Sequence, residues 1–247
     1  YQLRYQVYCE QTGWESSSLF SKEKIEKDKY DLYSAHFLVR DKITRAWVGG
    51  LRLVSLPFGW LPITEFCDQD VCDSLPFNNN DRCAEVSRLF ILQAHQGGRR
   101  QLGLGGGGKK ERNSLMRRRY DTISGRYEVL LGLIRAAREY GLNHGIKGWY
   151  FLVEPGLARG IHRLGIDLFQ CGSEVEFKGM RRPFSGDVDS CFDRVYSSSA
   201  EGVRDMFGKV GTYSLYSGYD EDAGNDLKKR PHSLGVPELD KSAFAIT

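Results

Sequence analysis

A mixed α/β fold is expected, with one central sheet holding both antiparallel and parallel strands and helices packed against it. Three observations predict it. Short apolar runs separated by turn residues come first, at 36–39, 46–56 and 84–92, in the manner of antiparallel strands. A strong amphipathic helix at 124–144 then leads into the buried-type strand Trp149-Tyr150-Phe151-Leu152-Val153, an order that builds parallel pairs. Of the 247 residues, 40% are hydrophobic and 27% charged, which excludes wholesale disorder and fibrous repeats.

The elements follow in order. Leu3, Val7 and Tyr8 have helical spacing, so 3–14 reads as an opening amphipathic helix. Residues 15–35 are polar and read as a loop. His36-Phe37-Leu38-Val39 is a short strand ending at a turn at Asp41-Lys42, and 46–56 is a second strand. Gly49-Gly50 inside it marks a bulge or a close backbone approach. Residues 57–81 are turn-rich, and 84–92 is a third strand with charges embedded in an apolar run. In the helix at 124–144, Leu130, Leu133, Ile134, Ala137 and Tyr140 form the apolar stripe. Pro155 opens a short helix that runs to Gly165, as a first-turn proline should. Extended stretches are expected near 174–177 and 191–196, and a helix near 200–207. One domain over 1–207 is expected, with a basic Gly-rich loop insert at 97–120 and an irregular tail at 208–247.

The charge is unevenly placed. Lysine and arginine number 35 against 32 aspartate and glutamate. Eight of those cations, including Arg99, Arg100, Arg117, Arg118 and Arg119, lie between residues 99 and 119 with Glu111 as the single acid; elsewhere 27 cations face 31 acids. The same stretch holds Gly103 and Gly105 to Gly108, which no helix or strand interior tolerates. It reads as a long loop with a cationic patch suited to a phosphate-bearing cofactor or an acidic protein; the alternative is a solvated loop with no partner. Nucleic acid fits poorly, because no aromatic residue interleaves the arginines before Tyr120. No apolar run approaches the roughly 20 residues of a membrane span. The six cysteines lack a CxxC pair and read as reduced thiols of a cytoplasmic protein, and Cys67, Cys72, Cys83 and His95 lack zinc-site spacing, so no metal is expected. The chain begins at Tyr1 without a basic-then-apolar leader, so the numbering is expected to begin inside a longer chain.

Several charges fall where structure alone would not put them. Glu85 and Arg88 share the third strand three residues apart and would face opposite sides unless a bulge intervened. Arg52 sits mid-strand between Leu51 and Leu53. Asp28 and Asp31 precede the first strand, and Arg4 lies on the first helix with Trp14 at its far end. The simplest reading is a semi-buried network of ion pairs holding a loop on the sheet. Buried pairs are weak contributors to stability, because desolvation offsets attraction, so a functional site is the stronger reading.

The ordered set Leu3-Arg4-Tyr5-Gln6-Val7-Tyr8, Gly13-Trp14-Glu15, Asp28-x-x-Asp31, Gly50-Leu51-Arg52-Leu53 and Glu85-Val86-Ser87-Arg88-Leu89 resembles the acyl-homoserine-lactone (autoinducer) synthases and the N-acyl amino acid synthases. Acyltransferases associated with exosortase systems look closest. They also resemble Glu154-Pro155, Leu157-Ala158-Arg159, Arg163-Leu164-Gly165-Ile166 and Gly179-Met180-Arg181-Arg182-Pro183-Phe184. The likeness covers about residues 3–195 and omits the basic insert and the tail. Tyr8 stands where the family usually has Phe.

The resemblance implies a GNAT-like fold: a splayed mixed sheet with helices on both faces, whose V-shaped opening takes the acyl donor's pantetheine arm. It implies an enzyme that moves an acyl group from acyl carrier protein, or coenzyme A, to an amine. It places Arg4, Trp14, Asp28, Asp31, Arg52, Glu85 and Arg88 at the family's characteristic positions. Acyl-phosphopantetheine is then a co-substrate, with no permanently bound cofactor, and an amino acid is the acceptor; the lipid-like product would partition to membranes.

The residue types suit this chemistry. An α-amine with a pKa of about 8 must lose a proton before attacking a thioester, and Glu85 is a sensible base. Backbone N–H groups near Ser87 to Leu89 would hold the oxyanion. Asp28 and Asp31 would grip the amine or anchor the loop above it, and Arg52 or Arg88 a carboxylate. No covalent enzyme intermediate is required of Cys83. Arg100-Gln101-Leu102-Gly103-Leu104-Gly105 matches a GNAT pyrophosphate loop, although the following helix starts about 20 residues later, and the arginines suit phosphopantetheine or a docked carrier protein. Two alternatives stay open: a homoserine-lactone synthase using S-adenosylmethionine, and a non-catalytic module that binds acyl chains or carrier protein.

Overall fold

The computed structural model describes residues 1–20, 22–41, 44–55, 61–67, 81–92, 123–197 and 213–217, the last five and residues 123–124 by their backbone alone. The basic insert, the expected helix near 200–207 and most of the tail lie outside the described residues. The first compact unit runs from Tyr1 to Ser217.

Strands β1 (Ser34–Asp41), β2 (Trp47–Val54) and β3 (Arg82–Ile91) form an antiparallel meander. Helix α2 (Ile123–Asn143) follows, then β4 (Ile146–Val153), which pairs with β3 in parallel. After α3 (Pro155–Arg163) come β5 (Phe169–Gln170), β6 (Val175–Glu176), β7 (Met180–Asp187), the short α4 (Asp193–Ser197) and β8 (Tyr213–Ser217). The sheet order is β5-β7-β4-β3-β2-β1-β8, with β6 pairing onto β7. This is the expected mixed fold.

Two expectations needed correction. Residues 191–196 are helical, a 3₁₀ turn at Ser190–Phe192 leading into α4, and not extended. Cys191 and Val195, four apart, and Phe192 and Val195, three apart, are buried together, which is helical spacing. Tyr213–Ser217, inside the stretch expected to be irregular, pairs with β1.

Alternation along the strands sends side chains to two faces. On one, Phe37, Val39, Leu51, Leu53 and Val86 join Leu130, Leu133, Ile134 and Ala137 of α2 in the main core. The other face carries Leu38, Gly50, Arg52, Glu85 and Ser87 and is covered by the first helix, whose Val7 and Tyr8 pack with Leu38 and Phe90. That helix, α1 (Gln2–Tyr5), loosens into a π turn over Gln6–Gln11, ended by the Thr12 N–H and hydroxyl donating to the Val7 carbonyl (2.9 and 3.1 Å). Gly13, at φ 66°, then turns the chain back so that the Glu15 N–H donates to the Tyr8 carbonyl (2.9 Å).

Two irregularities open the sheet where the charges lie. The β3–β4 ladder ends at Val86 and Phe151, while both strands continue, so they splay beyond that point. On the other side, Arg52 opposes Ser87 and Gly50 opposes Phe90, so β3 carries one extra residue there. That bulge includes Arg88, which takes the left-handed backbone conformation at φ 49°.

Candidate active site

Each charged residue is delivered to the second face by local structure. Asp28 and Asp31 have a mutual reason for their spacing: they form a capping box on the 3₁₀ turn Lys29–Tyr33. Asp28 accepts from the Tyr30 N–H (2.9 Å), and Asp31 accepts from the Asp28 N–H (2.7 Å). Their remaining lone pairs meet the arginines. Arg52 Nη1 donates to Asp28 Oδ1 (2.6 Å) and Asp31 Oδ1 (2.9 Å), and Arg4 Nη1 donates to Asp31 Oδ1 (2.5 Å). The bulge swings Arg88 onto the same face as Arg52 and Ser87, where its Nη2 donates to Asp28, Glu26 and Glu15, each at 3.1 Å.

Two members were not singled out from sequence. Glu26, whose side chain is 1% exposed, receives Arg4 on one oxygen (2.5 Å) and Arg88 on the other. Nothing in the polar run 15–35 distinguishes it. Glu15 was quoted only as part of the Trp14 motif, yet it receives both Arg88 and Lys178. Trp14 stands at the rim, 6.0 Å from the Tyr8 ring and under the Arg181 guanidinium. The structure therefore brings together Arg4, Asp28, Asp31, Arg52, Ser87 and Arg88, with Glu85 beside them; Arg99, Arg100, Arg117, Arg118 and Arg119 lie outside the described residues.

The electrostatics divide the carboxylates into two kinds. Burial alone would raise Asp31, but the Arg4 hydrogen bond, the Asp28 N–H and Arg52 hold it at about 2. Glu26 is likewise held below its ordinary value, its burial overcome by Arg4 and Arg88. Glu85 goes the other way. It is buried at the foot of the same face, and burial pushes it up to about 8. Its Oε2 accepts a 2.6 Å hydrogen bond from the Ile63 N–H, which with Arg52 and Arg88 opposes the rise only in part. Ser87 accepts from Arg52 Nε (3.0 Å) and keeps its own hydroxyl proton to donate.

Two features keep hydrogen-bonding capacity that the described residues do not use. Arg4 Nη2 is buried with no hydrogen-bond partner, although the rest of that guanidinium is tied to Glu26 and Asp31. Arg4 lines a cavity of about 190 Å³ with His36, Leu38, Arg52, Arg88 and Phe90. Beside it, the backbone of Ser87 to Leu89 borders the splay between β3 and β4 with no ladder partner on the β4 side. Among the described residues, no three His, Cys, Asp or Glu are grouped to hold a metal ion.

Residues 3–105 match the family model of the acetyltransferase (GNAT) domain. No curated protein matches the chain significantly. Among solved structures, the chain is similar to the CoA-dependent acyl-homoserine lactone synthase BjaI, solved with SAM and isopentyl-CoA. Identity there is 19%, the TM-score is 0.51, and the match covers 85% of this chain and 81% of that one. The acyl-homoserine lactone synthase LasI is 18% identical with a TM-score of 0.50, over 77% of this chain and 81% of that one. FeeM, an N-acyl amino acid synthase from uncultured soil microbes, is 12% identical at a TM-score of 0.48, over 78% of this chain and 85% of that one. Residues 3–105 thus match a GNAT acetyltransferase domain, and the sheet as a whole is similar in fold to the acyl-homoserine lactone synthase BjaI.

Proposed function

We propose that the chain transfers a fatty acyl group from an acyl-phosphopantetheine thioester to the amine of an amino acid, forming an N-acyl amino acid. The observation that carries this reading is Glu85: a buried carboxyl at about 8, on the face that holds the cavity, next to a bulged strand at the sheet opening. A base serves best when its pKa lies near that of the proton donor, and an α-amine has a pKa of about 8. In the reaction the acceptor's amine loses a proton to Glu85 and attacks the thioester carbonyl. N–H groups of the bulge and the Ser87 hydroxyl support the oxyanion. The thiolate leaves and takes up a proton as the amide forms.

The acceptor's carboxylate fits Arg4 Nη2, the buried donor with no partner on the cavity wall. Arg52 and Arg88, each bound to carboxylates of the chain itself, then serve to fix Asp28 and Asp31. The thioester arm suits the splay beyond Val86 and Phe151, and an acidic carrier protein suits Arg99, Arg100, Arg117, Arg118 and Arg119. The stretch Gly179–Phe184 favours the N-acyl amino acid branch over a lactone synthase.

The test is mass spectrometry of lipid extracts from cells expressing the chain or its Glu85→Gln variant. An amino-acid amide formed only with the unaltered chain supports the proposal and identifies both substrates. A homoserine lactone would replace the amino acid with S-adenosylmethionine as acceptor. Undiminished product with Glu85→Gln would remove Glu85 as base.

A further inference from the structure

The motif Gly179-Met180-Arg181-Arg182-Pro183-Phe184 has no part in the chemistry above, yet its start is drawn against the site. The turn between β6 and β7 is tight, with positive φ at Lys178 (52°) and Gly179 (96°). It is closed by the Arg181 Nε–H donating to the Phe177 carbonyl (2.8 Å). Three side chains leave this turn toward two separate parts of the site.

On one side, the Phe177 ring packs 3.9 Å from Phe66. Phe66 directly follows the turn Pro62–Glu65, and Ile63 of that turn gives Glu85 its N–H. On the other side, Lys178 Nζ is bound to Glu15 Oε1, the same oxygen that takes Arg88 Nη2. Between them, the Arg181 guanidinium lies 5.0 Å from the centre of the Trp14 ring and 5.9 Å from that of Phe177. Trp14 in turn neighbours Tyr8, whose hydroxyl donates to the Leu89 carbonyl in the bulge (3.2 Å).

We propose that the β6–β7 turn clamps the site, with Lys178 positioning Arg88 through Glu15 and Arg181 positioning Trp14 against Tyr8. Both are positioning residues, and the inference rests on the proposed acyl transfer. Glu15 takes two cations on one oxygen, Lys178 and Arg88, while Arg88 also reaches Glu26 and Asp28, so the lysine adds to the neutralisation of Glu15. A guanidinium over an indole restricts the ring, so Arg181 limits the motion of Trp14 beside Tyr8.

The test uses the full chain and four variants: Lys178→Ala, Lys178→Arg, Arg181→Ala and Glu15→Gln. Lys178→Ala is expected to lower kcat about tenfold, which is about 1.4 kcal/mol of transition-state stabilisation, with Lys178→Arg restoring most of it. Because Lys178 acts through Glu15, adding Lys178→Ala to Glu15→Gln should cost no further activity. Arg181→Ala should raise acrylamide quenching of Trp14 fluorescence, taken as the difference from the same variant carrying Trp14→Phe. Unchanged kcat in Lys178→Ala, additive losses in the double variant, or unchanged Trp14 quenching would each overturn the clamp. Failure of the acyl-transfer reading would show separately, as no acylated product from the unaltered chain, and the quenching measurement judges the clamp in either case.

Discussion

At the scale of single residues, the site sets two kinds of carboxylate side by side, with opposite consequences for pH. Asp31 is held at about 2 by Arg4, the Asp28 N–H and Arg52 despite its burial. Its contribution to stability is therefore complete above its ordinary value of 3.8 and is lost as pH falls through about 2. Glu26, also held low, adds to the same acid loss. An acid titration followed by circular dichroism should show unfolding in that range, shifted to higher pH by Arg4→Met. Glu85 has the reverse sign, since folding raises it from 4.5 to about 8, so its ionisation costs stability as pH rises toward 8. Glu85→Gln keeps an oxygen for the Ile63 N–H and removes that ionisation. It should abolish transfer while making the protein more stable than the unaltered chain at pH 9, relative to pH 5. The pH–rate profile of the unaltered chain should rise through about 8. A profile flat from pH 6 to 9, or no stability gain in the variant, would show that Glu85 is not the titrating base. Arg52, Glu85 and Arg88 were legible in the sequence as charges inside apolar strands, and Asp28 and Asp31 as a spaced pair before the first strand, whereas Glu26 was not. Their pairings were not legible, because Glu15, Glu26, Asp28 and Asp31 reach the sheet through loop geometry that has no period to read.

Among the elements, backbone irregularity does what regular strands cannot. A regular β3 would turn Arg88 away from Glu85 and Ser87; the extra residue opposite Leu51 brings it back, at the cost of a left-handed arginine. Sequence spacing made that bulge the condition for Glu85 and Arg88 to share a face. The paired glycines of β2 were also readable as a close approach, and the contacts say with what: a Cβ on Gly49 would sit 2.9 Å from the Phe90 carbonyl oxygen and 2.9 Å from Val129 Cγ1. The carbonyl belongs to the β2–β3 ladder and cannot step aside. Gly49→Ala should therefore destabilise the fold by about 1–3 kcal/mol, measured by chemical denaturation; a neutral result would mean that β3 can shift outward beyond the bulge. Where elements were misread, local composition argued against the tertiary outcome. Strand β7 contains Arg181-Arg182-Pro183, a turn-like string, yet Pro183 is accommodated with Leu152 opposite it and Phe184 pairing with Phe151. Tertiary pairing on β4 outweighed weak strand propensity.

Across the whole molecule, the proposed function joins the charge asymmetry to the sheet opening. In the site, the four carboxylates of Glu15, Glu26, Asp28 and Asp31 face four cations, Arg4, Arg52, Arg88 and Lys178. A buried site so neutralised exerts little long-range pull on an acidic partner. On the proposed function, the attraction would come from the eight cations between residues 99 and 119, which follow β3, one of the two strands that border the opening. Long-range steering of this kind acts over about 10 Å at 0.1 M salt and is screened above it. Replacing Arg117, Arg118 and Arg119 by Glu should lower affinity for acyl carrier protein by tenfold or more at low salt, with the difference shrinking as salt rises. Turnover of an acyl-CoA should change far less, because a soluble thioester needs only local contacts at the opening. Binding measured by titration calorimetry at two salt concentrations separates the cases. Equal affinity of both proteins for the carrier would assign the segment no role in docking, and an equal loss with acyl-CoA would move it from the carrier's surface to the pantetheine phosphate itself.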